Sequence, residues 1–261
     1  MFRVASWNVN GLRAVAKKGF LDWLNQSRFD VVGLQETKAS EDQLDAELAH
    51  PHGWQTHFVS AERKGYSGVA LYSRQGFSEF KVGLGNPVFD VEGRVQWARI
   101  GRLWIVNVYF PNGKGKDRDN SRVPYKLDFY RELHQQLEPL KKERVLVMGD
   151  FNTAHEDIDL ARPKENRNIS GFMDVERKEL DRWIRSGWND TFRMFQKEGG
   201  HYSWWSARFG VRERNIGWRI DFVLSSPGAT KFLKNASIHA NVMGSDHAPV
   251  SVDLDPAVLQ K

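Results

Sequence analysis

The stretch Val145-Leu146-Val147-Met148-Gly149-Asp150-Phe151-Asn152 sets four apolar residues in a row, stops them at a glycine and closes in Asp-x-Asn. A short, β-branched apolar run bounded by glycine predicts a strand buried on both faces. Such a strand needs a covering layer on each side. With 261 residues, 40% of them hydrophobic, and 10 Trp and 16 Phe among them, the chain has apolar surface enough to supply both. The strand end then aims a carboxylate and a carboxamide above the sheet, where α/β architectures place their sites. Taken alone, Asp150 and Asn152 read more simply as a polar turn. What shifts the balance is that the device recurs.

Arg3 to Asn10 reads as a strand ending in Asn8 and Asn10, broken by Gly11. Phe20 to Asn25 has amphipathic helical spacing, Phe29 to Gln35 is a second buried strand with Glu36 at its end, and Asp42 to Leu48 is a polar helix. Gly65 to Tyr72 is a loop feeding a strand; Val95 to Ile100 and Leu103 to Phe110 pair as a hairpin across Gly101-Arg102. Gly113 to Ser121, charged and glycine-containing, predicts a mobile loop, and Tyr125 to Leu140 a helix with Pro139 near its end. Gly217 to Leu224 predicts a strand with an acid in its middle, and Gly244-Ser245-Asp246-His247 precedes a last strand, Pro249 to Leu254. Helices separate some strands and hairpins others, so the pattern predicts a mixed α/β layered sandwich forming one domain over 1–261. A faint echo links Ser6–Gly11 with Met148–Asn152, but it is too short to establish a repeat.

Cysteine is absent, which excludes disulfides and thiolate chemistry and leaves oxygen or imidazole ligands for any metal. No apolar stretch is long enough to span a bilayer, and Met1 to Trp7 lacks a signal-peptide apolar region; a cytoplasmic protein with no membrane partner is expected. The net charge of +5 is a local matter: between Arg162 and Arg219 thirteen basic residues face eight acidic ones, which accounts for the whole surplus. Trp183, Trp188, Trp204, Trp205 and Trp218 fall in the same span. Interleaved cations and aromatics suit a nucleic-acid surface, with a solvated helix over a Trp-rich core as the rival reading.

Ten polar residues end or flank apolar strands: Asn8, Asn10, Glu36, Tyr109, Asn112, Asp150, Asn152, Asp221, Asp246 and His247. Clustered carboxylates repel unless something neutralises them, and a hard divalent cation such as Mg²⁺ or Mn²⁺ does so while sharing its coordination with a phosphate. By itself, Glu36 beside Lys38 is an ordinary surface acid. His247, with Asp221 available to fix its tautomer, can serve as a general base or as a cation against a phosphoryl oxygen. Ser67 and Ser245 lack the Gly-x-Ser-x-Gly setting of a nucleophile, which weakens a serine triad. The inventory supplies what phosphodiester hydrolysis needs: an activated water, a charge clamp and help for the leaving oxygen.

Seven motifs appear in order: Ser-Trp-Asn-Val-Asn-Gly-Leu-Arg-Ala (6–14), Leu-Gln-Glu-Thr-Lys (34–38), Lys-Gly-Tyr-Ser-Gly-Val-Ala (64–70), Tyr-Phe-Pro-Asn-Gly (109–113), Gly-Asp-Phe-Asn-Thr-Ala-His (149–155), Asn-Ile-Gly-Trp-Arg-Ile-Asp (215–221) and Gly-Ser-Asp-His (244–247). Together they closely resemble the exodeoxyribonuclease III family of apurinic/apyrimidinic endonucleases, within the endonuclease/exonuclease/phosphatase superfamily. The resemblance implies a four-layer α/β sandwich of two packed mixed sheets flanked by helices. It implies Glu36 as principal ligand of Mg²⁺, for which Mn²⁺ substitutes, with Asn10 and Asp246 nearby. Asp150 would orient or deprotonate the attacking water, held with a phosphate oxygen by Asn8 and Asn152. His247, braced by Asp221, would contact the scissile phosphate together with Tyr109 and Asn112. Trp204, Trp218 and Ile220 match a pocket for an extrahelical baseless sugar, and Arg208 matches a side chain inserted into DNA. Extruding a residue that has lost pairing and stacking costs less than extruding an intact nucleotide, which makes that pocket physically sensible.

The implied substrate is double-stranded DNA with abasic sites or 3′ lesions, cut 5′ to the site to leave a 3′-hydroxyl, with 3′→5′ exonuclease and 3′-end trimming, by a monomer. Two alternatives are a phosphodiesterase of the same superfamily acting on a non-DNA phosphate ester, and a non-catalytic nucleic-acid-binding protein on this scaffold. The basic, Trp-rich segment speaks against the first, and the presence of Glu36, Asp150 and His247 against the second.

Overall fold

The protein's computed structural model describes residues 1–117, 119–208 and 210–260. The described strands are β1 (Phe2–Asn8), β2 (Val31–Gln35), β3 (Gln55–Val59), β4 (Val69–Ser73), β5 (Glu79–Val82), β6 (Val95–Ile100), β7 (Leu103–Tyr109), β8 (Arg144–Asp150), β9 (Asn189–Asp190), β10 (Asp221–Ser225), β11 (Leu233–Ile238) and β12 (Val250–Leu254). They form two six-stranded sheets, β11-β12-β1-β2-β4-β3 and β5-β6-β7-β8-β10-β9.

The alternation of the organising stretch explains how these layers stack. Val145 and Val147 pack with Phe129, Leu133 and Leu180 of the helices Val123–Leu137 and Asp174–Arg185. Leu146 and Met148 point the other way, into a core shared with Val4, Val31 and Leu71 of the facing sheet. On that sheet's far side Trp7, Val32 and Leu34 meet Leu12, Val15, Phe20 and Leu24 of two short helices. Helix, sheet, sheet and helix make four layers, as expected. Between the sheets Gly33 lets the backbones approach: a Cβ there would lie 2.4 Å from Met148 Cε and 2.9 Å from Asn107 Oδ1. Asn107 in turn accepts from Gln35 Nε2 at 2.6 Å and donates to Gln96 Oε1 at 3.0 Å, which links three polar side chains in this layer across the two sheets.

The two sheets share one plan. Each has a single parallel pair, β1 with β2 and β7 with β8, extended on both sides by antiparallel neighbours. In this correspondence β1 matches β8, and the echo between their ends is structural. Asn10 N bonds Asn8 Oδ1 at 2.9 Å, just as Asn152 N bonds Asp150 Oδ1 at 2.7 Å. Asn10 and Asn152 both turn into the left-handed region, with φ of 47° and 50°.

Several expectations need correction. The helix expected over Asp42–Leu48 splits into a 3₁₀ turn, Glu41–Gln43, and a four-residue helix, Ala46–Ala49, because Asp45 between them is extended. The helix expected to reach Leu140 is α-helical only over Val123–Leu137 and tightens to a 3₁₀ turn from Glu138, where Pro139 offers no N–H to the ladder. Asp221 opens its strand rather than sitting mid-strand, since Trp218 pairs instead with Trp204 and Leu160. Three half-exposed strands, β3, β5 and β11, went unforeseen. The segment Gly113–Ser121 is irregular as expected, with Arg118 outside the described residues.

Candidate active site

Strands β1, β2, β7 and β8 end, β10 begins, and the turn before β12 passes, at the same edge of the sandwich, around one cavity of about 250 Å³. Asn10, Glu36, Tyr109, Asn112, Asp150, Asn152, Trp204, Trp218, Ile220, Asp246 and His247 all line it. Asn8 and Asp221 stand behind this wall, buried and holding its members. Arg208 does not reach it. It is exposed and lines an adjoining cavity that shares Lys114, Ile169, Trp204 and Trp218 with the first.

The strand ends meet through side chains. Asn8 Nδ2 donates to Glu36 Oε1 and to Asp150 Oδ2, each at 2.8 Å, so one amide ties both carboxylates together. Asn152 Nδ2 donates to Phe110 O at 2.9 Å and to Asp150 Oδ2 at 3.3 Å, and Asn112 Nδ2 donates to Asn152 Oδ1 at 3.2 Å. Gly149 lets β8 close against β7, since a Cβ there would sit 1.8 Å from Val108 O. Glu36 and Lys38 both have φ of 52°, a backbone strain of about 1–3 kcal/mol each that the surrounding contacts must offset. Such strain concentrates where side chains are aimed for a purpose.

His247 Nδ1 lies 2.9 Å from Asp221 Oδ2, and its Nε2 faces Asp150 Oδ2 at 3.9 Å. Burial disfavours the imidazolium, yet the charges of Asp221 and Asp150 outweigh burial and raise the His247 pKa well above its usual 6.5. Nδ1 is thus the N–H that Asp221 accepts from, and Nε2 presents a second donor to the cavity. Asp150 is raised as well, by burial first and then by Asp221 and Glu36, against the pull of His247. A carboxylate so placed holds a proton more readily than a surface aspartate, as a general base requires. Burial raises Glu36, but Lys38 and the Asn8 amide prevail and keep its pKa below 4.5.

The oxygen-rich donor set suits a hard cation. Glu36, Asp150 and His247 present ligand atoms within 4.8 Å of one another. Of the three ligands implied by the resemblance, only Glu36 belongs to that cluster. Asn10 and Asp246 bond each other at 2.9 Å on the cavity rim, and Trp204 Nε1 donates to the second Asp246 oxygen at 3.0 Å. Lys38 Nζ sits 2.8 Å from Glu36 Oε2 and donates to Asn10 Oδ1, so positive charge is already favoured at these oxygens. His155, Glu156 and Asp181 also come together, but Arg177 and Arg185 pair with the same acids and make it an ion-pair cluster.

Trp204 and Trp218 pair through their backbones and meet edge-on, with ring centroids 6.2 Å apart, beside buried Ile220 and Phe172. They make one apolar wall. The other tryptophans of the basic segment do not contribute: Trp183, Trp188 and Trp205 are buried elsewhere in the core. Many of its cations are committed too. Arg219 is buried against Asp159 and Asp190, Arg193 pairs with Asp159, and Arg212 donates to the carbonyls of Ala240, Val242 and Ser245. Lys114, Arg162, Arg208 and Arg214 remain exposed around the paired cavities.

Sequence reasoning missed several participants. Lys114, Ile169, Ser170 and Gly171 line the cavity, and only the Asn112-Gly113-Lys114 turn carried any signal of it. Ser203 Oγ donates to Asp221 Oδ2 at 2.7 Å and braces the brace. Fully buried Lys126 donates to Asn152 O and to Glu176 Oε1, both at 2.6 Å, while Glu176 accepts from Ser170 Oγ at 3.0 Å and Gly171 N at 2.7 Å. That pair joins the β8 end to the opposite cavity wall.

Comparison with known proteins places this geometry in company. The model of the endonuclease/exonuclease/phosphatase family matches residues 5–247. An exodeoxyribonuclease of Bacillus subtilis is 41% identical over 253 residues, covering 96% of this chain and 98% of its own. A DNA-(apurinic or apyrimidinic site) endonuclease of Dictyostelium discoideum is 34% identical, covering 97% of this chain and 70% of its own. Among solved structures, an AP endonuclease from Archaeoglobus fulgidus superposes with a TM-score of 0.88 at 26% identity, covering 98% of this chain and all of that one. A 3′ phosphatase from Neisseria bound to product DNA hairpin gives 0.88 at 28% identity, with the same coverage of both chains.

Proposed function

Because the chain belongs to the endonuclease/exonuclease/phosphatase family, we propose that it is a DNA repair nuclease that hydrolyses the phosphodiester 5′ to an abasic site in duplex DNA, dependent on Mg²⁺ and leaving a 3′-hydroxyl. Its relatives are exodeoxyribonucleases and AP endonucleases, and a 3′ phosphatase is among its structural neighbours, so removal of 3′ nucleotides and 3′ blocks belongs to the same proposal. The observation that carries the reading is the Asp150–His247–Asp221 arrangement, with Asn8 and Glu36 attached, opening into a small cavity with an apolar Trp204–Trp218 wall.

In this reading Asp150, held by Asn8 and Asn152, orients a water and takes its proton as the water oxygen attacks phosphorus. The bond from phosphorus to the 3′ oxygen of the preceding nucleotide breaks, and that oxygen leaves as the 3′-hydroxyl after protonation from solvent. His247, cationic and fixed by Asp221, donates from Nε2 to a phosphoryl oxygen, where Tyr109 and Asn112 add uncharged donors. Glu36 would hold Mg²⁺, with Asp246 and Asn10 beside it, and the ion would supply charge neutralisation for the phosphoryl and leaving oxygens. Manganese, which shares the preference for carboxylate and water oxygens in octahedral geometry, should substitute. The apolar wall of Trp204, Trp218 and Ile220 takes the extruded sugar, and a cavity of about 250 Å³ leaves little space for a base beside it.

The same proposal takes residues 1–261 as one nuclease domain acting as a monomer, since the strand ends of a single chain supply the groups that the reaction calls on. A cytoplasmic location belongs to the same proposal; separately, no helix among the described residues is long and apolar enough to cross a membrane. The test is incision of a 5′-labelled duplex carrying one abasic analogue, with Mg²⁺ or with chelator, beside an undamaged duplex. Metal-dependent cutting on the 5′ side of the lesion is expected; binding without cutting would reject the nuclease in favour of a non-catalytic binder.

A further inference from the structure

Arg94 is nearly buried, at 3% exposure, although its nearest acid belongs to no part of the mechanism above. A buried guanidinium is costly unless every face is satisfied. Here Nε donates to Glu92 Oε2 at 2.6 Å, Nη2 to the Tyr66 hydroxyl at 2.8 Å and Nη1 to the carbonyl of Tyr109 at 3.0 Å. The guanidinium also stacks over the Tyr109 ring, 4.6 Å from its centroid, and the Tyr109 amide donates to Arg94 O at 2.9 Å. One arginine therefore fixes both backbone polar groups and the ring face of a residue that lines the active cavity.

Its partners reach outward. Glu92 also accepts from Arg122 Nη2 at 2.9 Å and from the Tyr125 hydroxyl at 3.0 Å, and Arg122 Nη1 donates to the Tyr66 hydroxyl at 3.2 Å. Tyr66 belongs to the loop before β4, and Arg122 ends the loop that carries Asn112 and Lys114. Both loops are thus anchored to the base on which Tyr109 sits.

We propose that Arg94 is the positioning residue of Tyr109: it sets the phenol ring at the cavity wall and locks that setting to the Tyr66 and Arg122 loops on either side. The inference rests on the phosphate-binding role of Tyr109 proposed above.

The experiment is a double-mutant cycle of Arg94→Gln and Tyr109→Phe, read as single-turnover cleavage of an abasic duplex with the duplex affinity measured in parallel. Tyr109→Phe should slow cleavage by about tenfold or more with affinity little changed, and Arg94→Gln should slow it comparably. The double variant should be no slower than Tyr109→Phe alone, within about twofold, because the arginine acts through the phenol. Losses that multiply overturn the proposal, as does a wild-type rate for Arg94→Gln. A wild-type rate for Tyr109→Phe removes the role of Tyr109 and this inference with it, while metal-dependent incision by the wild type keeps the nuclease reading intact. Should Arg94→Gln fail to fold, Arg122→Gln and Tyr66→Phe loosen the same fork from outside and enter the cycle in its place, with the same expected non-additivity.

Discussion

Asp150 and Asn152 look like a turn until their partners are seen, and the site is built from such double meanings. Glu36 shows it well, being both the salt-bridge partner of Lys38 and the acceptor of the Asn8 amide that holds Asp150. Trp218 is a core-packing residue on one side and cavity wall on the other. If the wall receives a baseless sugar, Trp218→Ala should weaken binding of abasic duplex by about tenfold, the scale of one lost aromatic contact, and leave plain duplex nearly unaffected. Equal losses on the two duplexes, measured by fluorescence anisotropy, would reject the pocket. Asp159 offers a test independent of catalysis. Burial raises its pKa, but Arg219 and Arg193 overcome burial and hold it at about 2, below the ordinary 3.8. A depressed carboxylate stabilises the fold above its unfolded pKa, and that stability is lost as pH falls through its folded pKa. The contribution is about 2–3 kcal/mol, at roughly 1.4 kcal/mol per pKa unit. Urea unfolding of the wild type and Asp159→Asn should therefore differ clearly at pH 6 and converge toward pH 2; a constant difference would contradict this assignment.

At the scale of elements, the strands legible in the sequence are those buried on both faces. Val145–Met148 and Val31–Leu34 are unbroken apolar runs because one face meets helices and the other meets the second sheet. That close contact has its own prediction. Gly33→Ala would drive a Cβ into Met148 and Asn107, an overpacking cost of about 1–3 kcal/mol, seen as a lower denaturation midpoint with activity retained at low temperature. An unchanged midpoint would mean that the inter-sheet layer is looser than its distances state. The strands the sequence hid, β3, β5 and β11, lie at sheet edges, where mixed polar composition is ordinary and no alternation stands out. Strand-end chemistry was legible because Asn8, Glu36, Asp150 and His247 break apolar patterns. Arg94, Lys126, Glu176 and Ser203 were not, since their roles exist only once distant segments meet. The Trp-rich basic span was legible for the wrong reason in part: most of its tryptophans fill cores, and Arg219 is the middle of a buried ion-pair network.

The whole molecule is two sheets of one design packed so that corresponding ends face each other. The site lies where β1 meets β8 across Asn8 and Asp150, and the sandwich supplies the rigidity that holds them. Around the paired cavities the exposed cations Lys114, Arg162, Arg208 and Arg214 form the electropositive rim. Their contacts with phosphates would release counterions, so the logarithm of duplex affinity should fall linearly with the logarithm of salt, with a slope smaller by about 1 for each of these cations replaced by glutamine. A slope untouched by Arg162→Gln and Arg208→Gln would place the duplex elsewhere. Hydrolysis of DNA at abasic sites by this strand-end constellation depends on Asp150, and one comparison isolates that dependence. Single-turnover cleavage of an abasic duplex with Mg²⁺ is measured for the wild type and Asp150→Asn, with duplex affinity measured on the same preparations. Asp150→Asn should lose about 10²–10⁴-fold in cleavage with affinity largely retained. Cleavage by Asp150→Asn at the wild-type rate would remove Asp150 from the reaction.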